Sequence, residues 1–221
     1  MATEFQQTLD YIHEKAQNTK ELGDYFERMS KIYFENDDVQ KQYYSEVQHY
    51  VDWAETRPEF SKVDIGIDLV AKLRDEEGYV AIQCKCYSED NTITKEQINS
   101  FISASTSDVF KRLILIDTTL KDLGKHAQST IENLNKPFSR IQINELETSR
   151  IDWLHYLSDN SVRLKKKKTL RNNQIQALES VENGFKDADR GRLIMACGTG
   201  KTFTSLKIAE KLAGKGKLVL Y

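Results

Sequence analysis

Cysteine and proline are scarce in this sequence. Among 221 residues there are three cysteines and two prolines, and Cys84, Cys86 and Cys197 lack the paired CxxC spacing that zinc sites use. A sparse, odd-numbered set of cysteines also excludes the disulfide framework of small secreted domains. We therefore expect a protein of the reducing cytoplasm.

Long apolar runs and a strong charge of one sign are absent as well. The longest apolar runs, such as Leu113–Ile116, are far shorter than the roughly 20 residues that cross a bilayer. The polar N-terminus does not indicate a secretion signal, because no basic start leads into an apolar stretch. The formal net charge is −2, which gives no overall attraction to nucleic acid. Any binding of DNA must therefore come from local basic patches.

The apolar pattern that is present predicts helices followed by strands. The chain is 39% hydrophobic, long enough to bury one core and to begin a second. Apolar residues in Leu22–Tyr33 and Tyr44–Ala54 repeat with a helical period. Alternation then predicts strands at Val63–Leu69 and Tyr79–Cys86, and the charged stretch Arg74–Gly78 between them is typical of a hairpin connection.

Further elements are predicted up to residue 157. The pattern indicates helices at Lys95–Ser105 and Leu120–Leu134, and strands at Arg112–Asp117 and near Ile141. Helices around a small mixed sheet are the simplest arrangement of these elements. Strand alternation turns the side chains of the two neighbouring cysteines to the apolar face, and helical spacing does the same for both tryptophans. We predict that all four are core residues: Cys84, Cys86, Trp53 and Trp153.

A change in composition at 158–169 predicts a domain boundary. Polar residues there lead into a basic run that starts at Arg163. We predict a first domain at 1–157, a basic linker at 158–169 and a second domain at 170–221. The basic run either tracks DNA phosphates or is a solvated linker, and the residue types leave both readings open.

The second domain is predicted to be a βαβ unit. Two helices are expected at Leu170–Phe185 and Lys201–Ala213, and two short strands at Arg192–Ala196 and Lys217–Tyr221. The junction between the first strand and the second helix is where phosphate-binding loops lie in such units.

The run Met-Ala-Cys-Gly-Thr-Gly-Lys-Thr occupies that junction. The backbone of Gly198, Thr199 and Gly200 can turn its N–H groups towards phosphate oxygens. Lys201 can reach the terminal phosphates, and the Thr202 hydroxyl can bind Mg²⁺. The run therefore predicts a site for ATP with Mg²⁺.

This loop resembles the first motif of superfamily 2 helicases and of the motor subunits of type I and type III restriction enzymes. It departs from the general pattern, which has Gly where this chain has Met195. Leu170–Leu178 looks like the segment of that family whose glutamine recognises adenine, which would be Gln174; an ordinary surface glutamine is the alternative. The chain stops before the acidic box and arginine finger that hydrolysis needs. We therefore expect a piece of a longer protein that does not turn over ATP by itself.

The two central strands carry a second set of polar residues. If the hairpin folds about Glu76 and Glu77, Asp68 lies opposite Lys85 with Gln83 diagonal to it. A carboxylate and an amide oxygen suit a hard cation such as Mg²⁺, and Lys85 could position water and stabilise charge on a phosphate. A solvated face of a hairpin is the alternative reading.

Asp64–Val70 together with Ile82–Lys85 resembles the PD-(D/E)XK nuclease superfamily in its Mrr-like branch. Gln83 stands where most members have an acidic residue, which weakens metal binding and leaves the number of metal ions open. The same resemblance implies a catalytic Glu27 on the first helix of that fold, although a solvated glutamate is the alternative. Asp64 is either a second ligand or a polar residue at the strand edge.

Taken together, the two resemblances imply a nuclease joined to a motor. Phe101–Ser105, Arg112–Thr119 and Ile151–Trp153 add a likeness to the start of single-chain type ISP restriction-modification enzymes. The likeness implies a restriction-endonuclease-like α/β domain followed by the first βαβ part of a RecA-like helicase domain. It also implies double-stranded DNA and ATP as partners, with methyltransferase and target-recognition regions in the longer protein. The alternatives are a non-catalytic DNA-binding module that steers a helicase and a P-loop NTPase of another class.

Overall fold

The computed structural model describes four stretches of the chain: 3–63, 66–167, 169–196 and 199–213. The chain divides into two compact units, Met1–Lys165 and Lys166–Tyr221. None of the helices within the described stretches has the length and apolar character that a membrane span needs.

Within the described residues, the first unit is built around one five-stranded sheet whose strands follow each other in chain order. The strands are β1 (Tyr44–His49), β2 (Leu69–Leu73), β3 (Tyr79–Lys85), β4 (Phe110–Asp117) and β5 (Phe138–Ile141). The pairs β1–β2 and β2–β3 are antiparallel, whereas β3–β4 and β4–β5 are parallel. The predicted mixed sheet is therefore confirmed.

Helices pack on both faces of this sheet. In chain order they are α1 (Glu4–Lys15), α2 (Thr19–Asn36), α3 (Gln40–Tyr43), α4 (Tyr50–Glu55), α5 (Lys95–Ala104), α6 (Lys125–Glu132), α7 (Ile143–Thr148) and α8 (Trp153–Asp159). Val80 and Ile82 of β3 join the core that includes α1 and α2, while Ala81 joins the core that includes α4 and α5. The central strand is apolar on both sides because both of its faces are covered.

The helix predicted over Tyr44–Ala54 is confirmed only in its second half, which lies in α4, whereas its first half is strand β1. Tyr44 pairs with Leu73 and Glu46 with Lys72, so the bulge between them contains one extra residue, Ser45. A bulge of this kind puts residues three apart on the same face of a strand. Tyr44 and Val47 are both buried for this reason, and their spacing imitates a helical period.

The strand predicted at Val63–Leu69 is also misplaced, since β2 begins only at Leu69. Val63 is 71% exposed, and Gly66 has a φ of +93°, a conformation that an extended strand does not use. Asp64 lies outside the described residues. The hairpin connection at Arg74–Gly78 is confirmed, because it joins β2 directly to β3.

Most of the remaining predictions for the first unit are confirmed. The helix at Lys95–Ser105 corresponds to α5, and the later strands correspond to β4 and β5. The helix expected from Leu120 begins only at Lys125, and Leu120 is half exposed. The other confirmed predictions concern core residues: Trp53 and Trp153 are buried, and Cys84 and Cys86 pack against the core beside α2.

The second unit contains α9 (Asn172–Asp187) and α10 (Lys201–Ala213), as predicted. The strand predicted at Arg192–Ala196 is not formed, and Ile194 is 82% exposed. A strand is held by hydrogen bonds to a neighbouring strand, and the described part of this unit offers none. The final predicted strand, Lys217–Tyr221, lies outside the described residues.

Candidate functional site

The fold holds Asp68 firmly at one end of the central hairpin. Its backbone N–H donates to the carbonyl of Ile82 and its carbonyl accepts from the N–H of Tyr50, both at 2.9 Å. Its side-chain Oδ2 accepts from the backbone N–H of Cys84 at 2.6 Å. The carboxylate therefore lies beside the C-terminal end of β3.

The predicted pairing of Asp68 with Lys85 is wrong by two residues. That pairing would place Cys84 opposite Leu69, whereas Leu69 pairs with Ile82. The register differs because a turn ends at Gly78, whose φ of +131° closes the hairpin earlier than predicted. Since side chains alternate with a period of two, an even shift leaves every side chain on its predicted face.

Gln83 is the buried amide of this site. Its side chain is 1% exposed, and its Nε2 donates to the carbonyl of Gly66 at 3.1 Å. Its Oε1 is buried and has no hydrogen-bond partner among the described residues. An unmade hydrogen bond of this kind costs about 1–3 kcal/mol. Buried polar atoms without partners are rare in native proteins and suggest a group that a ligand completes.

Lys85 ends strand β3 and is half-buried. It lies two residues beyond Gln83 and therefore on the same face of the sheet. In the described part of the chain, its ammonium group has no hydrogen bond or ion pair. Lys85 is thus a cation at the same end of the hairpin as Asp68, and no described residue forms an ion pair with it.

Helix α2 brings Glu27 to the same place. Phe26 and Met29 anchor the helix in the core, which leaves Glu27 half-buried beside the sheet. Burial raises the pKa of the Cys84 thiol well above its usual range, and the charges of Asp68 and Glu27 raise it further. Both carboxylates therefore act on the same thiol, and the structure brings Glu27 close to Cys84, which lies between Gln83 and Lys85 in β3.

His49 belongs to this neighbourhood and was missed by the sequence analysis. Its Nδ1 is 4.0 Å from Oε2 of Glu27, and it pairs with Leu69 at the end of β1. Burial lowers the pKa of His49 from its ordinary value. Only the strand assignment of Tyr44–His49 could have located this residue, and the apolar spacing there indicated a helix.

The described residues offer oxygen ligands for a metal ion but no dense cluster of acidic side chains. No group of three or more His, Cys, Asp or Glu residues in the described stretches could hold a metal ion. The carboxylate of Asp68 and the unpaired amide oxygen of Gln83 instead lie at the same end of the hairpin. Both are hard oxygen donors of the kind that Mg²⁺ uses, so these residues fit the predicted ion.

The second unit contains the predicted phosphate loop. Gly200 has a φ of +79°. Lys201 begins α10, and its Nζ is 3.2 Å from the carbonyl of Ala196 and 3.5 Å from that of Met195. Thr202 is an exposed residue in the first turn of the helix, and Gly198 lies outside the described residues.

Gln174 is not the ordinary surface glutamine that the sequence left as an alternative. It is 4% exposed. Its Nε2 donates to the carbonyl of Thr199, and its Oε1 accepts from the N–H of Arg171, both at 2.9 Å. A Cβ on Gly200 would lie 2.6 Å from the same Nε2. Gln174 therefore braces the phosphate loop against the start of α9.

Comparison with known families identifies both parts of the chain. Residues 35–163 match the family described as restriction endonuclease. Residues 167–220 match the family described as type III restriction enzyme, res subunit. No curated protein matches the chain.

Solved structures with a similar fold include an ATP-dependent type ISP restriction-modification enzyme, LlaBIII, bound to DNA. The TM-score is 0.73 at 34% sequence identity, and the match covers 97% of this chain and 13% of that chain. The chain thus spans a small part of the length of that enzyme. The DNA modification-dependent restriction endonuclease AspBHI matches with a TM-score of 0.43 at 15% identity, over 66% of this chain and 35% of that one.

Proposed function

The chain belongs to the restriction endonuclease family, in its Mrr-like branch, and continues into a helicase-like region, and from this we propose that it hydrolyses DNA phosphodiesters with the help of a metal ion. The observation that carries the proposal is the convergence of Asp68, Gln83 and Lys85 at one end of the β2–β3 hairpin. Each has a distinct part in the proposed reaction.

Asp68 and Gln83 would hold Mg²⁺. The bond from the Cys84 N–H orients the Asp68 carboxylate, and the bond from Nε2 to the Gly66 carbonyl fixes the amide so that Oε1 has a defined direction. When bound, the ion supplies positive charge to the phosphate and to the attacking water. With a neutral amide replacing a second carboxylate, the site carries less negative charge and binds the ion more weakly.

Lys85 would act on the water and on the phosphate. In the hydrolysis, the water oxygen bonds to phosphorus as one ester P–O bond breaks, the water loses a proton and the leaving oxygen gains one. An ammonium group within reach orients the water and stabilises the negative charge that builds up on the phosphate oxygens. The absence of an ion pair to Lys85 in the described residues leaves its charge for this purpose.

Glu27 has a supporting role in this proposal. It approaches from α2, its charge acts on the thiol of Cys84 as that of Asp68 does, and its Oε2 lies 4.0 Å from Nδ1 of His49. A carboxylate in that position can accept a hydrogen bond from water held near the ion. We propose that Glu27 helps to order the water around the metal.

The second unit is proposed to bind ATP with Mg²⁺ as part of a translocase. Lys201 would turn from the loop carbonyls to the terminal phosphates, Thr202 would bind the ion, and Thr199 with the two loop glycines would cradle the phosphates. Gln174 would contact adenine while bracing the loop. In the longer protein, the motor would move along double-stranded DNA to bring the nuclease to its cutting position, beside methyltransferase and target-recognition regions.

Cleavage of supercoiled plasmid by the 221-residue chain tests the proposal. With Mg²⁺ or Mn²⁺ we expect nicking or cutting that Asp68→Asn and Lys85→Ala each reduce about 100-fold or more, as removal of groups in the reacting centre does. Lys72→Ala and Asp75→Asn, at exposed positions of β2 and of the hairpin turn, are matched controls that should cut normally.

Binding without cutting would give the opposite answer. If the folded chain binds DNA, and neither metal nor either active-site substitution changes the plasmid, the nuclease proposal fails. The chain would then be a non-catalytic DNA-binding module of nuclease fold. Melting curves of all variants establish that loss of cutting is not loss of folding.

A further inference from the structure

A buried carboxylate lies directly beside Lys85 on the next strand. Lys85 of β3 is in parallel register with Asp117 of β4, so the two side chains leave the same face of the sheet at about the 4.8 Å spacing of neighbouring strands. Asp117 is fully buried. A buried carboxylate requires a charged or hydrogen-bonding partner, and the lysine is close enough to serve as one.

The Asp117 carboxylate is nevertheless bonded to Arg140 of β5 and not to Lys85 of β3. Its Oδ2 accepts from Nε of Arg140 at 2.7 Å, and its Oδ1 accepts from an Arg140 amino group at 3.1 Å. The backbone N–H and hydroxyl of Thr119 also donate to Oδ1, at 2.9 and 2.7 Å. Both carboxylate oxygens are therefore occupied by donors from β5 and from the loop after β4.

Arg140 is itself held in this position. Its side chain is 14% exposed, and one amino group also donates to the hydroxyl of Thr119 at 2.8 Å. The amide of Gln142 donates to the carbonyl of Thr119 at 3.0 Å and braces the same loop. A planar guanidinium with a two-point grip on a carboxylate fixes direction as well as charge.

We propose that Arg140 is a positioning residue of the nuclease site, which acts by keeping Asp117 away from Lys85. This inference rests on the proposed function, because it concerns the lysine that would act on the phosphate. Arg140 neutralises the neighbouring carboxylate and directs it towards β5. Among the described residues, Lys85 thereby stays without an ion pair, at the end of the β2–β3 hairpin where Asp68 and Gln83 lie.

The charge balance explains why loss of Arg140 would disable the site. Without the guanidinium, Asp117 is a buried negative charge whose nearest strand neighbour with a positive charge is Lys85. Such a charge is strongly driven to find a counter-ion. The lysine would turn to Asp117 and leave the position from which it reaches a phosphate.

Three variants of the 221-residue chain test this arrangement: Arg140→Gln, Asp117→Asn and the double variant with both changes. Glutamine can still hydrogen-bond to Asp117 but carries no charge. We expect Arg140→Gln to lower the single-turnover cleavage rate about 100-fold, similar to loss of a positioned catalytic group. Asp117→Asn should cut within about twofold of wild type, and in the double variant cutting should recover, since no carboxylate remains to capture Lys85.

A simple structural role for Arg140 predicts a different pattern. In that case the double variant would be at least as impaired as Arg140→Gln, and its melting temperature would fall in step with its activity. That result, or normal cutting by a folded Arg140→Gln, would overturn the inference. If Arg140→Gln does not fold, Asp117→Asn provides the test. Loss of cutting by this folded variant would show that the Asp117 carboxylate itself is needed, and would overturn the inference.

A second readout does not depend on cleavage. The rate at which an amine-reactive ester labels Lys85, followed by peptide mass spectrometry, reports whether its ammonium is ion-paired. Labelling should slow in Arg140→Gln and return to the wild-type rate in the double variant. If labelling follows this pattern but no protein cuts DNA, the proposed function fails while the charge arrangement stands. Equal labelling rates in all variants would reject the arrangement.

Discussion

Two side chains at the candidate site have polar groups that are left without partners in the described part of the protein and could therefore bind a ligand. The amide oxygen of Gln83 is buried without a hydrogen bond, and the ammonium of Lys85 has no ion pair among the described residues. Both conditions oppose stability, because buried polar groups are normally satisfied. Strain and unmade bonds of this kind concentrate at sites that bind ligands.

Gly66 is the residue on which the position of this amide depends. Its φ is +93°, and a Cβ there would lie 2.7 Å from Oγ of Ser100 and 2.9 Å from the backbone nitrogen of Phe101. Only glycine lets the chain pass so close to α5 in that conformation. The same close passage presents the Gly66 carbonyl to Gln83.

Replacement of this glycine should therefore destabilise the nuclease unit. We expect Gly66→Ala to lower the free energy of unfolding by about 1–3 kcal/mol, because the residue is strained and also collides with backbone. Denaturant unfolding measures this change. Gly23→Ala is the matched control: Gly23 lies inside α2 with open space around it, so alanine should stabilise by about 0.5–1 kcal/mol. Equal effects of the two substitutions would contradict the argument.

At the scale of secondary-structure elements, the C-terminal part of the first unit is held by a short pairing. Ile151 forms a bridge with Leu164, and the N–H of Asp152 donates to the carbonyl of Arg163 at 2.8 Å. Arg150 donates from Nε to the carbonyl of Lys165 at 2.7 Å. The beginning of the basic run is thus attached to the nuclease unit by backbone and side-chain bonds.

Arg150 links this pairing to the end of α2 through Asp38. The Nη1–Oδ2 distance is 2.8 Å, and hydrogen bonds from Lys41 and Arg150 hold the pKa of Asp38 below its usual value of 3.8. A carboxyl group with a depressed pKa stabilises the fold above about pH 4, and this contribution is lost as pH falls below that value. The bond between the two segments is therefore sensitive to acid.

Substitution of Arg150 should reproduce that loss at neutral pH. We expect Arg150→Ala to lower the melting temperature at pH 7, and to lower it less once the pH falls far enough below 4 for Asp38, no longer held by Arg150, to be protonated in the folded variant. Thermal melts across this pH range measure the difference. Arg163→Ala, whose exposed side chain lies in the same pairing, should show no such pH-dependent difference. A constant difference at all pH values would mean that the ion pair is not its source.

At the scale of the whole molecule, two compact units carry separate candidate sites. The candidate nuclease residues all lie in Met1–Lys165, and the phosphate loop with Gln174 lies in Lys166–Tyr221. Contacts within each unit, such as the bond from Gln174 to Thr199, account for the geometry of each site. The two sites should therefore respond independently to substitutions in this chain.

A substitution in the phosphate loop tests this independence. Lys201→Ala should weaken binding of a fluorescent ATP analogue at least about tenfold, since it removes the charge that meets the terminal phosphates. Metal-dependent cutting of plasmid by the same variant should stay at the wild-type rate. Lys207→Ala, on the same helix but paired with Glu210, should change neither quantity. A parallel loss of nucleotide binding and cutting in Lys201→Ala would show that the two units work as one.

The sequence by itself determined the identity and order of the two parts of this protein. Residue types with strict local requirements carried that information: the run from Gly198 to Thr202, and the Asp68, Gln83 and Lys85 pattern. Local periodicity also placed α5, β4 and α10 correctly. These features could be predicted because each depends on the chain within a few residues.

Only the tertiary structure decided the features that depend on pairing between distant segments of the chain. The bulge at Ser45 made a strand look helical and hid His49, and the turn at Gly78 shifted the hairpin register by two residues. The register of β3 with β4 then placed Asp117 beside Lys85. Local periodicity does not contain these relations, because strand register is set by turns, bulges and partners that lie elsewhere in the chain.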